Sequence, residues 1–124
     1  MACRITELVL DCRDPDRLAE FWCAVLGYEV IGQEPDGLEL GLPGARPGEG
    51  PPTLVLARTA DPRRGKLPLH IDVNPVGSDQ QTELARLLAL GARPADIGQD
   101  GSESWEVLQD PEGNEFCLLR KDVG

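Results

Sequence analysis

One pattern of alternation and helical periodicity runs through this chain twice, and that repeat constrains the fold more than any other feature. Residues 4–12, RITELVLDC, alternate as a strand does, with Glu7, Val9 and Asp11 on one face and Leu8, Leu10 and Cys12 on the other. A helix is predicted next. Asp14 suits its N-cap, Pro15 its first position and Gly27 its end, and Leu18, Phe21, Trp22, Val25 and Leu26 form one apolar stripe. Strands are expected at 28–33, 37–42 and 53–58, the last two separated by the Gly/Pro loop PGARPGEGPP at 43–52.

After the linker RTADPRRGKLP the same order returns. LHIDV reads as a strand, with His70, Asp72 and Asn74 on one face and Leu69, Ile71 and Val73 on the other. Ser78 or Asp79 caps a second helix that runs to Leu90 with Leu84, Leu87 and Leu88 turned inward. RPADIG, SWEVLQ and EFCLLR supply three more strands, and DPEG at 110–113 turns between the last two. The register is maintained: Glu7 precedes Gly27 by 20 residues and His70 precedes Gly91 by 21. The expected architecture is α+β, two βαβββ modules forming a curved mixed sheet around a cleft, with the helices outside. The boundaries are module 1–58, linker 59–67 and module 68–124, within one domain. The repeat puts Glu7 and His70 at equivalent points on the cleft-lining face.

Bulk properties narrow the function. A chain of 124 residues, 40% hydrophobic, suits one domain. Net charge is −10, so a nucleic-acid backbone would be repelled, whereas a cationic small molecule would not. No apolar run reaches the roughly 20 residues that span a bilayer, and the N-terminus lacks a signal-peptide core, so a cytoplasmic location is expected. Cys3, Cys12, Cys23 and Cys117 match no zinc-finger spacing. They are expected to be reduced thiols, the last three filling the core.

The segments ELVLDCRDPDRLAEFWCAVLGYEV, LHIDV and WEVLQDPEGNEFCLL together resemble the vicinal oxygen chelate superfamily, in its glyoxalase-like branch of the glyoxalase/bleomycin resistance/dioxygenase fold. The resemblance covers essentially the whole chain. It implies metal ligands at Glu7, seven residues before the Asp of the RD pair, at His70, and at Glu115 after the DPEGN turn. A further ligand in glyoxalase I-like members comes from the last strand of the first half. Here Thr53, Leu54, Val55 and Leu56 occupy that strand and none is a carboxylate, which departs from the glyoxalase I pattern.

One imidazole and two carboxylates suit a divalent ion such as Zn, Ni, Co, Mn or Fe. An iron oxygenase ordinarily keeps two histidines, so extradiol chemistry is not expected. The resemblance then implies a metal-dependent lyase or isomerase acting on a small oxygenated metabolite, with Glu115 or Glu7 as base. Without a cation the two carboxylates would repel and one would take up a proton. Asp11, Asp72 and Asn74 share the cleft face and can read a polar substrate or simply be hydrated. Trp105 can stack on a ligand or join the core, and Arg58 can pair with an anionic substrate or form a salt bridge. The alternative function is a metal-free, drug-sequestering binding protein like the bleomycin-resistance relatives, to which the acidic surface would draw a cation. The scarcity of aromatics, 4%, argues against a flat drug ligand. The resemblance also implies a homodimer.

Overall fold

The computed structural model describes residues 1–46, 49–61, 67–96 and 101–124. Two compact units divide the chain, Met1–Arg63 and Arg64–Gly124. Both have the order βαβββ.

The first unit contains β1 (Glu7–Cys12), α1 (Pro15–Leu26), β2 (Glu29–Glu34), β3 (Gly37–Gly41) and β4 (Thr53–Arg58). Its sheet runs β1-β4-β3-β2. The β1–β4 pair is parallel and in register from Glu7↔Thr53 to Cys12↔Arg58. β1 starts three residues later than the alternation predicts. α1 begins and ends where its local signals place it. The Asp14 carboxylate accepts the Arg17 N–H at 3.2 Å, Pro15 stands in the first turn, and Gly27 closes the helix at φ 69°. Leu18, Phe21 and Trp22 are buried against the sheet, and Phe21 meets Trp22 edge-to-face at 5.2 Å. α1 packs on β2, β3 and β4, and Leu38, Leu40, Leu54 and Leu56 face it. Gly37 is required by close approach, since a Cβ there would lie 2.3 Å from the Leu56 carbonyl oxygen. Alternation turns Glu7, Val9 and Asp11 to the opposite face, where all three are exposed.

The second unit contains β5 (Ile71–Val73), α2 (Gln80–Leu90), β6 (Arg93–Pro94), β7 (Glu106–Gln109) and β8 (Glu115–Leu118), in the sheet order β5-β8-β7-β6. Again the first and last strands are parallel, from Ile71↔Phe116 to Val73↔Leu118. Asp79, the nearer of the two candidate caps, accepts the Thr82 N–H at 2.7 Å, and Gly91 ends the helix in a left-handed conformation. The Gln80 amide donates to the Leu118 carbonyl, tying α2 to β8.

Several expectations need correction. Leu69 and His70 precede the regular strand, and Leu69 is exposed instead of facing inward, because pairing with β8 begins only at Ile71. In α2 the single buried residue is Leu87, while Leu88 is exposed, so the inward stripe is narrower than the leucine spacing suggests. Cys12 and Cys117 are buried as expected, but Cys23 is only half-buried. Burial, and then the charge of Glu29, hold its thiol above the usual cysteine range. The strand expected at RPADIG is regular only over Arg93–Pro94, and its end lies outside the described residues, as do parts of the linker and of the 43–52 loop.

Candidate metal centre

In the second unit the residues around His70 are placed by two adjacent parallel strands. Asp72 on β5 pairs in register with Cys117 on β8. Register partners project to the same side of a sheet, so the carboxylate and the thiol stand side by side. His70 lies two residues before Asp72 and shares its face. Its Nε2 is 3.2 Å from Asp72 Oδ1. Ligating atoms of His70, Asp72 and Cys117 all lie within 4.8 Å of one another, which makes this the one group of three or more potential metal ligands among the described residues. The imidazole is 40% exposed and the Asp72 side chain 47%, whereas Cys117 is 5% exposed. The thiol forms a floor among Ala95, Val107 and Leu119, and the two polar donors rise from it to solvent. An imidazole, a carboxylate and a thiol are a donor set that fits a borderline divalent ion.

Glu115 opens β8 and pairs with Gln109 of β7. It is half-buried and shares a face with Cys117, two residues on. Its position is set by the turn before it. Asp110 is completely buried. Its carboxylate accepts the Glu112 N–H at 2.9 Å, the Asn114 N–H at 3.0 Å and the Asn114 side-chain amide at 2.9 and 3.1 Å. The Gly113 N–H closes the turn on the Asp110 carbonyl, with Gly113 at φ 84°. DPEGN is therefore an internally bonded clamp, and Glu115 is the residue it releases into the strand.

In the first unit Glu7 stands abreast of Thr53. Thr53 is buried, and its hydroxyl donates to Glu39 Oε2 at 2.7 Å. The strand expected to supply a further ligand thus carries a threonine, and the carboxylate beside that position comes from β3. Sequence alternation alone does not reveal Glu39, because the link is a cross-strand diagonal. Asp11 is exposed on the Glu7 face.

The remaining candidates are placed as follows. The Asn74 amide donates to the Lys121 carbonyl at 3.0 Å and so holds down the C-terminal segment. The Arg58 guanidinium donates to the Arg13 carbonyl at 3.2 Å, tying β4 to the chain after β1. Trp105 is 43% exposed just before β7, so it does not fill the core. Cys117 and Asp72 are the potential metal ligands of the described residues that the sequence analysis does not name as such. The signal available was the repeat itself: residues 53–58 and EFCLLR are the last strands of their halves, and matching the two halves sets Cys117 beside Asp72 as Val55 stands beside Val9.

Comparison with curated protein sequences gives no match. Solved structures do match, at sequence identities that establish the fold alone. A glyoxalase/bleomycin resistance protein/dioxygenase family enzyme from Burkholderia phytofirmans is 16% identical, with 94% of this chain and 97% of that one aligned and a TM-score of 0.69. The trypanothione-dependent glyoxalase I of Leishmania major is 19% identical over 96% of this chain and 87% of its own, with a TM-score of 0.67. A mutant of the fosfomycin resistance protein FosX from Listeria monocytogenes, complexed with Mn(II) and a dihydroxypropylphosphonic acid, is 14% identical over 99% and 94%, with a TM-score of 0.73. Among the described residues no helix is long and apolar enough to cross a membrane. A family model described as a glyoxalase-like domain matches residues 7–119, and with the doubled βαβββ order this shows that the chain belongs to the glyoxalase-like domain family.

Proposed function

We propose that this protein is a divalent-metal-dependent enzyme of lyase or isomerase type that acts on a small oxygenated metabolite. The observation that carries the reading is His70 at the head of β5, its Nε2 3.2 Å from Asp72 Oδ1, with ligating atoms of His70, Asp72 and Cys117 all within 4.8 Å of one another. His70 and Glu115 are the proposed second-unit ligands, and Glu7 is the carboxylate at the equivalent point of the first unit. When bound, the ion, one of Zn, Ni, Co, Mn or Fe, supplies Lewis acidity toward two neighbouring substrate oxygens.

The chain's own residues supply the remainder of the chemistry. Glu115, held in place by the Asp110 clamp, is the proposed base. One carboxylate oxygen takes the proton from a carbon that bears a hydroxyl beside a carbonyl and returns it to the former carbonyl carbon, while the hydroxyl proton passes to the former carbonyl oxygen, so that the isomerisation is complete without net change in protons. Glu7 is the second candidate for that role. Asp11 and Asp72 orient hydroxyl groups of the substrate, and Trp105 offers an apolar surface near the start of β7. The proposed assembly is a homodimer.

Metal analysis of untagged protein, beside His70→Ala, tests the reading. One equivalent of a divalent ion is expected in the wild type and a large loss in the variant. No stoichiometric metal in either form, after exposure to each of the candidate ions, removes the proposal. In that case stabilisation by a cationic natural product in a thermal-shift screen would mark a metal-free binding protein instead, in keeping with the net charge of −10.

A further inference from the structure

We propose that Cys117 is itself a metal ligand, so that the centre is an imidazole–carboxylate–thiolate site made by His70, Asp72 and Cys117 that prefers zinc or cobalt(II) to manganese or magnesium. The inference rests on the reading of His70 as a metal ligand and changes the company it keeps.

Three observations lead to it. The first is register: Asp72 and Cys117 are paired across β5 and β8, and His70 joins them from two residues earlier on the same face. The second is spacing. Donor atoms around a four-coordinate ion with ordinary zinc bond lengths stand about 3.3–3.6 Å apart. The His70–Asp72 separation of 3.2 Å is already close to that, and all three ligating atoms lie within 4.8 Å. Closing the remaining gap of about an ångström takes movement of the two exposed donors, His70 and Asp72, together with a χ1 rotation of Cys117 short of the roughly 30° at which rotamer strain sets in. The third is the gradient of exposure. A thiol buried among apolar side chains with two exposed polar donors above it lets an ion enter from solvent and keeps its outer side open to a small molecule.

The chemistry follows from the donor types. Thiolate sulfur is a soft donor and imidazole a borderline one, and together they select zinc, cobalt or iron over the hard oxygen-seeking ions. On binding, the Cys117 thiol gives its proton to solvent, the neutral imidazole gives a lone pair and the Asp72 carboxylate a negative charge. Each ion bound at neutral pH therefore releases one thiol proton. Glu115, on the same face two residues before Cys117, is left to act as a base.

The test is a cobalt(II) titration of the full untagged chain, carrying Cys3→Ser to remove the exposed thiol. Thiolate coordination gives an intense near-ultraviolet sulfur-to-cobalt charge-transfer band, which oxygen and nitrogen donors do not produce. The expected result is that band at one equivalent, its displacement by zinc, and its loss in Cys117→Ser and His70→Ala. Cobalt bound without the band, and bound equally by Cys117→Ser, overturns the thiolate ligand and leaves the proposed metal enzyme standing. Failure of the wild type to bind cobalt or zinc at all overturns the thiolate centre, and failure to bind nickel, manganese and iron as well removes the proposed metal enzyme too. Should Cys117→Ser not fold, the band in the Cys3→Ser chain and its loss in the exposed-site variant His70→Ala decide the matter.

Discussion

Replacing Asp110 by alanine removes one acceptor from three donors at once. The Glu112 N–H, the Asn114 N–H and the Asn114 side-chain amide all converge on this carboxylate, and both Asp110 and Asn114 are buried. Hydrogen bonds to a charged group contribute about 1.5–3 kcal/mol each, and a buried donor left without a partner costs about 1–3 kcal/mol. The three share one acceptor and are not additive, and the Glu112 N–H is only partly buried, so a total of about 3–5 kcal/mol is expected. A domain of this length has about 6–19 kcal/mol of stability altogether. The substitution thus lowers the folding equilibrium constant by about two to three and a half powers of ten. With a slope of about 1.5 kcal/mol per molar, the urea midpoint should fall by about 2–3 M. Asp110→Asn keeps one acceptor oxygen and should lose about half as much. Urea unfolding followed by circular dichroism, with tryptophan fluorescence from Trp22 and Trp105 as separate reporters, measures both. A midpoint shift of under about 0.5 M for Asp110→Ala would show that the turn is held by its backbone alone, and the argument for a clamped Glu115 would fail with it.

Two further outcomes are expected. Leu87→Ala should cost about 2–5 kcal/mol in chemical denaturation and Leu88→Ala under about 0.5 kcal/mol, because only the first is buried; comparable losses would refute the narrow stripe. Asp79, whose carboxyl is held below its usual range mainly by the Thr82 N–H, gives stability that is present above the unfolded value of 3.8 and lost as pH falls through its lower folded value. Asp79→Asn, which still caps but does not titrate, should therefore have a melting temperature that falls less than that of the wild type between pH 5 and pH 2, and an identical fall in both would contradict the cap's ionic contribution.

Local signals were the most legible part of the chain. Asp14, Pro15 and Gly27 bound α1 because capping depends on side chains within one turn of the helix end. The doubled βαβββ order was legible because apolar periodicity survives in both halves. What escaped depends on contacts between distant residues. Leu84, Leu87 and Leu88 fit a helical stripe equally well on spacing, and only the packing of α2 picks out Leu87. Cys117 was assigned to core volume because a small thiol among Phe116 and Leu118 reads as filler, yet alternation puts it on the other face from both. Glu39 was invisible because its partner Thr53 is 14 residues away on the neighbouring strand. Asp110 was legible as a turn residue, but not as a buried one, since burial of a carboxylate requires knowing that three donors surround it.

The parallel pairing of first and last strand also bears on how the chain acquires its structure. Glu7 waits for Thr53 and Ile71 for Phe116, so each half closes over a loop of roughly 45 residues before its one parallel strand pair exists. Both helices and the hairpins β2–β3, β3–β4 and β7–β8 involve far shorter closures and can form while β1 and β5 are still unpaired. During synthesis, β1 must stay unpaired until β4 has left the ribosome, and β5 must do the same for β8. Asp72 and Cys117 belong to that long-closing pair, so the donor cluster exists only where the closure of roughly 45 residues has been made, and an ion held by the proposed centre would add its binding energy to that closure.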